Sequence, residues 1–350
     1  MGDNHDVFTV AAVQAAPVFM QLDATIERCC DLTTEAAARG ARLVVFPEAF
    51  VPTYPLWVWH VPAGQTRALR ELYAELLDNA VSVSGAAVER LGAVARAAHV
   101  TLVVGVNERN DEASGTTLYN SLLYFGPDGR LLGTHRKLVP TAGERLVHGQ
   151  GDGSTLAVHT LEIGRLGGLI CWENYMPLAR YALYAWGVEL YVAPTWDRGE
   201  PWLSTLRHIA KEARAYVIGC CSAVRRDDVP DNYAFKALLG EEEWVNPGDS
   251  AIIDPDGKLV AGPLHERQEI LYGVVERARL RGSRWQLDVA GHYARPDVFE
   301  LRVDTRPRPL VATLRPEEAQ LRQPDGLADA ADHRAAPPSS ETAVVARGTG

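Results

Sequence analysis

Apolar positions along the first hundred residues alternate between two rhythms. Val7 to Gln14 (VFTVAAVQ) is a nearly unbroken apolar run, the pattern of a buried strand. Asp23 to Arg39 spaces its apolar residues at helical intervals, with Asp23 available as N-cap and Gly40 as the stop. Ala41 to Glu48 (ARLVVFPE) predicts the next strand. Helices are predicted over Thr66 to Asn79 and Gly85 to His99, the second with Val88, Leu91, Val94 and Ala95 on one face. Val100 to Asn107 (VTLVVGVN) predicts a further strand.

The rhythm then changes. Ser121 to Phe125 and Leu131 to Thr134 flank Gly126-Pro127-Asp128-Gly129, a hairpin signal. A second hairpin is expected around Ile163 to Arg165, and a third, Ser250 to Ala261, turns at Asp254-Pro255-Asp256-Gly257. Between them, helices over Pro177 to Gly187 and Ser204 to Ala215 alternate with strands at Leu166 to Ile170, Val188 to Ala193 and Tyr216 to Ala223. Ile270 to Glu276 closes the series. Helix–strand alternation mixed with hairpins implies a layered α/β sandwich, parallel in part. The pattern does not distinguish one sheet from two.

From Arg306 onward the picture differs. No aromatic residue follows Phe299, six prolines are spread over 306–350, and the end is rich in Ala, Ser, Thr and Gly. Such a stretch buries too little surface to offset its ordering entropy. The expected organisation is one domain over 1–305 and a disordered tail over 306–350.

Composition narrows the partners. The 350 residues are 47% hydrophobic and 23% charged, ordinary for a globular chain. A net charge of -10 argues against nucleic acid, which needs clustered Lys and Arg. No apolar run approaches membrane-spanning length, and the acidic, polar start lacks a targeting pattern. Gly2 invites myristoylation, but Asp6 stands where Ser or Thr is required. Five cysteines without zinc spacing fit a reducing compartment, so the expectation is a cytoplasmic protein without a metal.

One cysteine differs from the other four. Cys29 and Cys30 fall in a helical pattern, and Cys220 and Cys221 end the apolar run AYVIGCC; all four read as core filler. Cys171 instead ends a buried strand and is followed at once by Trp172, Glu173 and Asn174. Lys137 lies in a polar turn (THRKLVP), and Glu48 closes an apolar strand. Thiol, amine and carboxylate at element ends are the parts of an activated nucleophile. Each has a plain alternative: an inert core thiol, a solvated basic pair with Arg136, a surface carboxylate.

Ordered blocks decide between these. They are FPEAFVPTYP at Phe46 to Pro55, HRKLVPTAGER at His135 to Arg145, GQGDGS at Gly149 to Ser154, CWENYMPLAR at Cys171 to Arg180, APTWD at Ala193 to Asp197, and AGHYARPDVF at Ala290 to Phe299. Together, from about Val7 to about Val303, they resemble the nitrilase superfamily, and within it the nitrilase branch. The resemblance implies a four-layer αββα sandwich and a Glu-Lys-Cys triad, here Glu48, Lys137 and Cys171. It implies that Glu144 is a second catalytic glutamate that positions the lysine and shares in proton transfer, that Tyr54 lines the substrate pocket, and that no cofactor is used. Trp172 and Trp196 are candidate pocket walls. GDGS lacks the Lys-Ser/Thr ending of a phosphate loop and reads as a tight turn.

The activity so implied is hydrolysis of a small organic nitrile to a carboxylic acid and ammonia. Its alternatives on the same scaffold are an amidase, a carbamoylase or a cyanide-hydrolysing relative. A homo-oligomer of dimers building larger or spiral assemblies is implied, with the stretch around Arg295, Pro296 and Asp297 as an arm over a neighbouring subunit. Two positions depart from the family's habit: His148 stands where Trp is usual, and Trp196 where a smaller residue is common. Trp57, Trp59, Trp172, Trp196 and Tyr54 hint at an aromatic-lined pocket suited to arylaliphatic nitriles. Which nitrile is used, and how many subunits assemble, the residues leave open.

Overall fold

The computed structural model describes residues 6–308 and Val311. The expected tail beyond 308 otherwise lies outside the described residues. Two sheets form. The first orders its strands β13-β1-β2-β3-β4-β5 and the second β10-β11-β9-β8-β7-β6, with β12 added on β11. The first comprises β1 (Val7–Gln14), β2 (Ala41–Val45), β3 (Thr101–Arg109), β4 (Leu118–Phe125), β5 (Leu131–Arg136) and β13 (Glu269–Glu276). The second comprises β6 (His159–Leu161), β7 (Gly164–Gly168), β8 (Leu190–Thr195), β9 (Tyr216–Cys221), β10 (Ala223–Arg225), β11 (Trp244–Ile253) and β12 (Leu259–His265). The helices are α1 (Leu22–Ala38), α2 (Thr66–Asp78), α3 (Ala86–Ala98), α4 (Pro177–Ala185), α5 (Gly199–Ala213) and α6 (Arg277–Gln286).

The near-continuous apolar runs now have a cause. Along β1, Val10 and Ala12 face the second sheet while Ala11 and Val13 face the α1/α3 layer. Strands buried on both faces need no polar alternation. Leu43, Val45, Val103 and Leu122 of the first sheet meet Leu166, Val192, Ile218 and Ile252 of the second in a central core. The outer face of the second sheet is covered by Leu183 of α4 and Leu206 and Ile209 of α5. The chain is a four-layer αββα sandwich.

Several boundaries moved for physical reasons. The strand expected over Ala41 to Glu48 stops at Val45. Pro47 has no N–H to pair, and Ala49 takes a positive φ of 46°, so the chain leaves the sheet and turns inward. The turn lies so close to β3 that a Cβ on Gly105 would sit 2.0 Å from the Pro47 carbonyl oxygen. Asp23 is not an N-cap: α1 starts after Gln21, and Asn79 Oδ1 accepts from the Leu22 N–H at 3.2 Å. A side chain 57 residues away supplies the cap. α5 starts at Gly199 rather than Ser204, with Pro201 in its first turn, where a missing N–H breaks no helical bond.

The GHYARPDVF stretch makes turns, and beyond it Val303 packs back against the α4/α5 core of its own chain. The Arg308 N–H donates to Asp152 Oδ2 at 2.9 Å. Tyr293, Val298 and Phe299 stay exposed. Among the described residues, no helix is long and apolar enough to cross a membrane, and no group of three or more His, Cys, Asp and Glu side chains is placed to hold a metal ion.

Candidate active site

Three elements converge at one end of the sandwich. The loop after β2 brings Glu48, the residue after β5 is Lys137, and the turn after β7 brings Cys171. All three are buried, Glu48 and Lys137 completely. The surface-carboxylate and solvated-lysine alternatives therefore fail. Arg136 is not a solvated partner either: it forms a two-pronged pair with Glu108 and lies 4.4 Å from the centre of the Tyr119 ring.

Lys137 is the hub. Its Nζ donates to Glu48 Oε1 at 2.6 Å and to Glu144 Oε2 at 2.7 Å. Glu48 Oε1 also accepts from Asn120 Nδ2 (2.7 Å), and Oε2 from the Trp196 N–H (2.8 Å). Glu144 sits in a short turn, Ala142–Leu146, where its Oε2 accepts from the Thr141 N–H and its Oε1 from the Tyr54 hydroxyl, each at 2.9 Å. Trp59 Nε1 in turn donates to the Tyr54 oxygen at 3.0 Å. Every carboxylate oxygen has a donor, as buried charges require.

Cys171 opens a one-turn helix, Cys171–Tyr175, with φ of +50°. That left-handed conformation is uncommon for a residue with a Cβ and is concentrated at functional sites. Glu173 braces the turn. Its Oε2 accepts from the Ile170 N–H at 2.7 Å and is shared with His135 Nε2 at 3.0 Å; its Oε1 accepts from the Leu138 N–H at 2.6 Å. Ile170 and Leu138 are the chain neighbours of Cys171 and Lys137. One buried carboxylate thus fixes the spacing between thiol and amine. Glu173→Gln puts an amide N–H against these donors and is expected to lower stability by about 1–3 kcal/mol. It should lower kcat more than it raises KM; unchanged kcat and melting temperature would remove the brace.

Electrostatics separate the two glutamates. Burial pushes Glu48 up to about 7, with Lys137 opposing and Glu144 reinforcing the rise. Glu144 is held below its ordinary value, since the Lys137 ammonium and the donors around it outweigh burial. Burial disfavours the ammonium of Lys137, but Glu48, Cys171 and Glu144 more than compensate, and it stays charged. Burial pushes the Cys171 thiol well up, Glu48 adds to this, and Lys137 partly offsets it. The resting arrangement is a neutral thiol, a fixed ammonium, a fixed carboxylate at Glu144 and a proton acceptor at Glu48.

A cavity of about 440 Å³ opens onto Cys171. Tyr54, Trp59, Trp172, Trp196 and Trp244 supply its aromatic walls. Trp196 stacks on Tyr54 with ring centres 4.3 Å apart, and half-exposed Trp172 donates its indole N–H to Asp197. Trp57 departs from expectation: it is wholly buried in a neighbouring core and does not line the cavity. Trp244 was not foreseen, nor were Asn120 and the Trp196 N–H as donors to Glu48. Cross-strand register and main-chain direction place these, and neither leaves a local signature. The GDGS segment is a turn in which Asp152 Oδ1 accepts from the Ser154 N–H.

The carbon-nitrogen hydrolase family model matches residues 9–284. An aliphatic nitrilase of Sinorhizobium fredii is 44% identical over 87% of this chain and 98% of its own. A bifunctional nitrilase/nitrile hydratase of Nicotiana tabacum is 41% identical over 87% of this chain and 88% of its own. In fold, the chain is similar to Saccharomyces cerevisiae Nit3, a nitrilase-superfamily member, with a TM-score of 0.64 and 20% identity over 82% of this chain and 96% of that one. With the family model spanning both sheets and all three converging elements, the chain belongs to the carbon-nitrogen hydrolase family.

Proposed function

We propose that this protein is a nitrilase that converts a small organic nitrile to a carboxylic acid and ammonia, with Cys171 as nucleophile, Glu48 as base, and Lys137 and Glu144 as the fixed charges beside them. One observation carries the reading: a neutral thiol faces an aromatic-walled cavity and is coupled, on its buried side, to a carboxylate able to take its proton and to an immobile ammonium. The relatives that are 40–44% identical and named nitrilases support the choice of nitrile.

The thiol proton passes to Glu48 as sulfur attacks the nitrile carbon. A C–S bond forms, one C–N π bond breaks, and Glu48 passes the thiol proton on to the nitrogen, giving a thioimidate and a carboxylate free to act again. The Lys137 ammonium meets the negative charge developing there, with the Trp172 main-chain N–H as second donor. Water, deprotonated by Glu48, adds to the thioimidate. The tetrahedral carbon expels ammonia and becomes a thioester, which a second water hydrolyses to acid and free thiol. If the tetrahedral carbon expels the thiol first, the product is the amide; relatives named bifunctional nitrilase/nitrile hydratase favour such a minor product. Trp172, Trp196 and Tyr54 hold the substrate.

The defining experiment is ammonia release from matched nitriles and amides, with Cys171→Ala as control. Cys171-dependent ammonia from nitriles supports the proposal; ammonia from amides alone makes the protein an amidase. Glu48 must be unprotonated to accept the thiol proton. With Glu48 near 7, kcat/KM is expected to fall about tenfold per pH unit below that value and to level off above it. A flat profile between about pH 5.5 and 8.5 would remove Glu48 as the base.

The proposal extends to a cytoplasmic setting, which suits five unbonded cysteines. It also extends to a homo-oligomer in which the exposed Tyr293, Val298 and Phe299 meet a neighbouring copy. Sedimentation of the wild type and of a Phe299→Ser variant tests the second point.

A further inference from the structure

His148 is buried next to the site, and the chemistry above assigns it no task. It follows the turn that carries Glu144, and its main-chain N–H donates to the Glu144 carbonyl at 2.8 Å. Its ring Nε2 lies 2.8 Å from Asn107 Oδ1. Asn107 sits on β3 and spends its amide on the loop that carries Glu48 and Tyr54. Nδ2 donates to the carbonyls of Thr53 at 2.9 Å and Val51 at 3.1 Å.

These bonds determine the tautomer. Asn107 Nδ2 is committed as donor, so Oδ1 faces the imidazole, and a carbonyl oxygen only accepts. Nε2 must therefore carry the proton, and Nδ1 is left bare. Nδ1 is indeed buried without a partner among the described residues. Burial, with Lys137 adding to it and Glu144 opposing, lowers this histidine to about 4, so it stays neutral in the working range. Its function is then a single fixed N–H donor.

We infer that His148 is a positioning residue, whose Nε2–H to Asn107 ties the turn bearing Glu144 to the loop bearing Glu48 and Tyr54. Nothing else in its ring bonds is needed for this. The tether holds the two carboxylates on opposite sides of Lys137, which bonds both. The inference rests on Glu48 as the base.

Two variants of similar length separate the donor from the bulk: His148→Gln keeps an N–H at the reach of Nε2, and His148→Met has none. In His148→Met, kcat is expected to fall on the order of 10- to 100-fold, because small misplacements of a reacting group weigh heavily on rate. KM should change by less than about threefold. Lys137, Glu144, Cys171 and Tyr54 are the titratable groups facing Glu48. As Glu48 drifts from Lys137, the acid limb of the rate profile should move to higher pH. His148→Gln should restore most of kcat and the limb. If His148→Met does not fold, His148→Asn, too short to reach Asn107, serves in its place.

Hydrogen exchange over residues 46–54 gives a readout independent of activity. It should quicken in His148→Met and not in His148→Gln. Wild-type kcat, limb and exchange in His148→Met would overturn the tether, as would a His148→Gln variant impaired to the same degree. A wild type inactive on every nitrile would sink the proposed function instead, and exchange alone would then decide the tether.

Discussion

Lys137→Met is expected to lose both activity and stability, and to lose more stability as pH rises. The ammonium lies between two carboxylates and is itself fully buried. Removing one partner from a buried charge cluster typically costs about 3–5 kcal/mol, because the remaining charges are left unpaired. The cluster can relieve this only by protonating a carboxylate. Glu48, already raised above its ordinary 4.5, rises further once the cation is gone. Between that ordinary value and the raised one, the folded state then holds a proton that the unfolded state has released. More protons bound in the folded state means that stability falls with rising pH across the window. Thermal melts near pH 6 and pH 9 should therefore separate more for Lys137→Met than for wild type. In the proposed mechanism Lys137 meets the developing anion, so its loss should lower kcat on the order of 10²- to 10³-fold. A variant that melts like wild type at both values would mean that the lysine does not hold the cluster together.

Cys171→Ala should do the reverse: abolish turnover and leave the fold alone. Alanine keeps the Cβ in the same left-handed backbone, and only one sulfur leaves a cavity-facing position, so the change in stability should be about 1 kcal/mol or less. The Lys137–Glu48–Glu144 bonds do not involve the thiol. The proposed mechanism, by contrast, has no route without the thiol, and a loss on the order of 10⁴-fold or more is expected for a nucleophile acting as part of a unit. Mass spectrometry of the wild type turning over a nitrile should show a covalent adduct on the peptide containing Cys171, absent in the variant. Retained ammonia release would sink the thiol mechanism altogether. The two variants together separate a residue that reacts from one that also holds the structure.

The rim of the cavity shows how such a site is kept in shape away from the chemistry. Arg226 donates to the carbonyls of Leu239 (2.9 Å) and Gly240 (2.6 Å), and the Arg225 guanidinium lies 4.7 Å from the centre of the Trp244 ring. These neighbouring arginines hold the segment that brings Leu239, Trp244 and Val245 to the cavity. Nothing in the run of residues around Arg225 marks it as a clasp. Its partners come from the far side of a loop.

What the sequence determined by itself is what local rules and ordered blocks can carry. Strands buried on both faces announce themselves as unbroken apolar runs. Helices show their faces at period 3.6, and Gly-Pro-Asp-Gly and Asp-Pro-Asp-Gly mark their hairpins. Cys171, Lys137 and Glu48 were legible as candidates because each falls at the end of an element and within a recognisable block. Tertiary structure decided the rest. It alone divided the strands into two sheets, since the pairing partner of a strand leaves no trace in its own residues. It capped α1 with Asn79 rather than Asp23, because a distant side chain reached the helix end first. It moved Trp57 from pocket to core, and gave Glu48 its Asn120 and Trp196 donors. A glutamate's residue type says that it can hold a proton. Only burial, the neighbouring ammonium and the second carboxylate decide that Glu48 takes one and Glu144 does not.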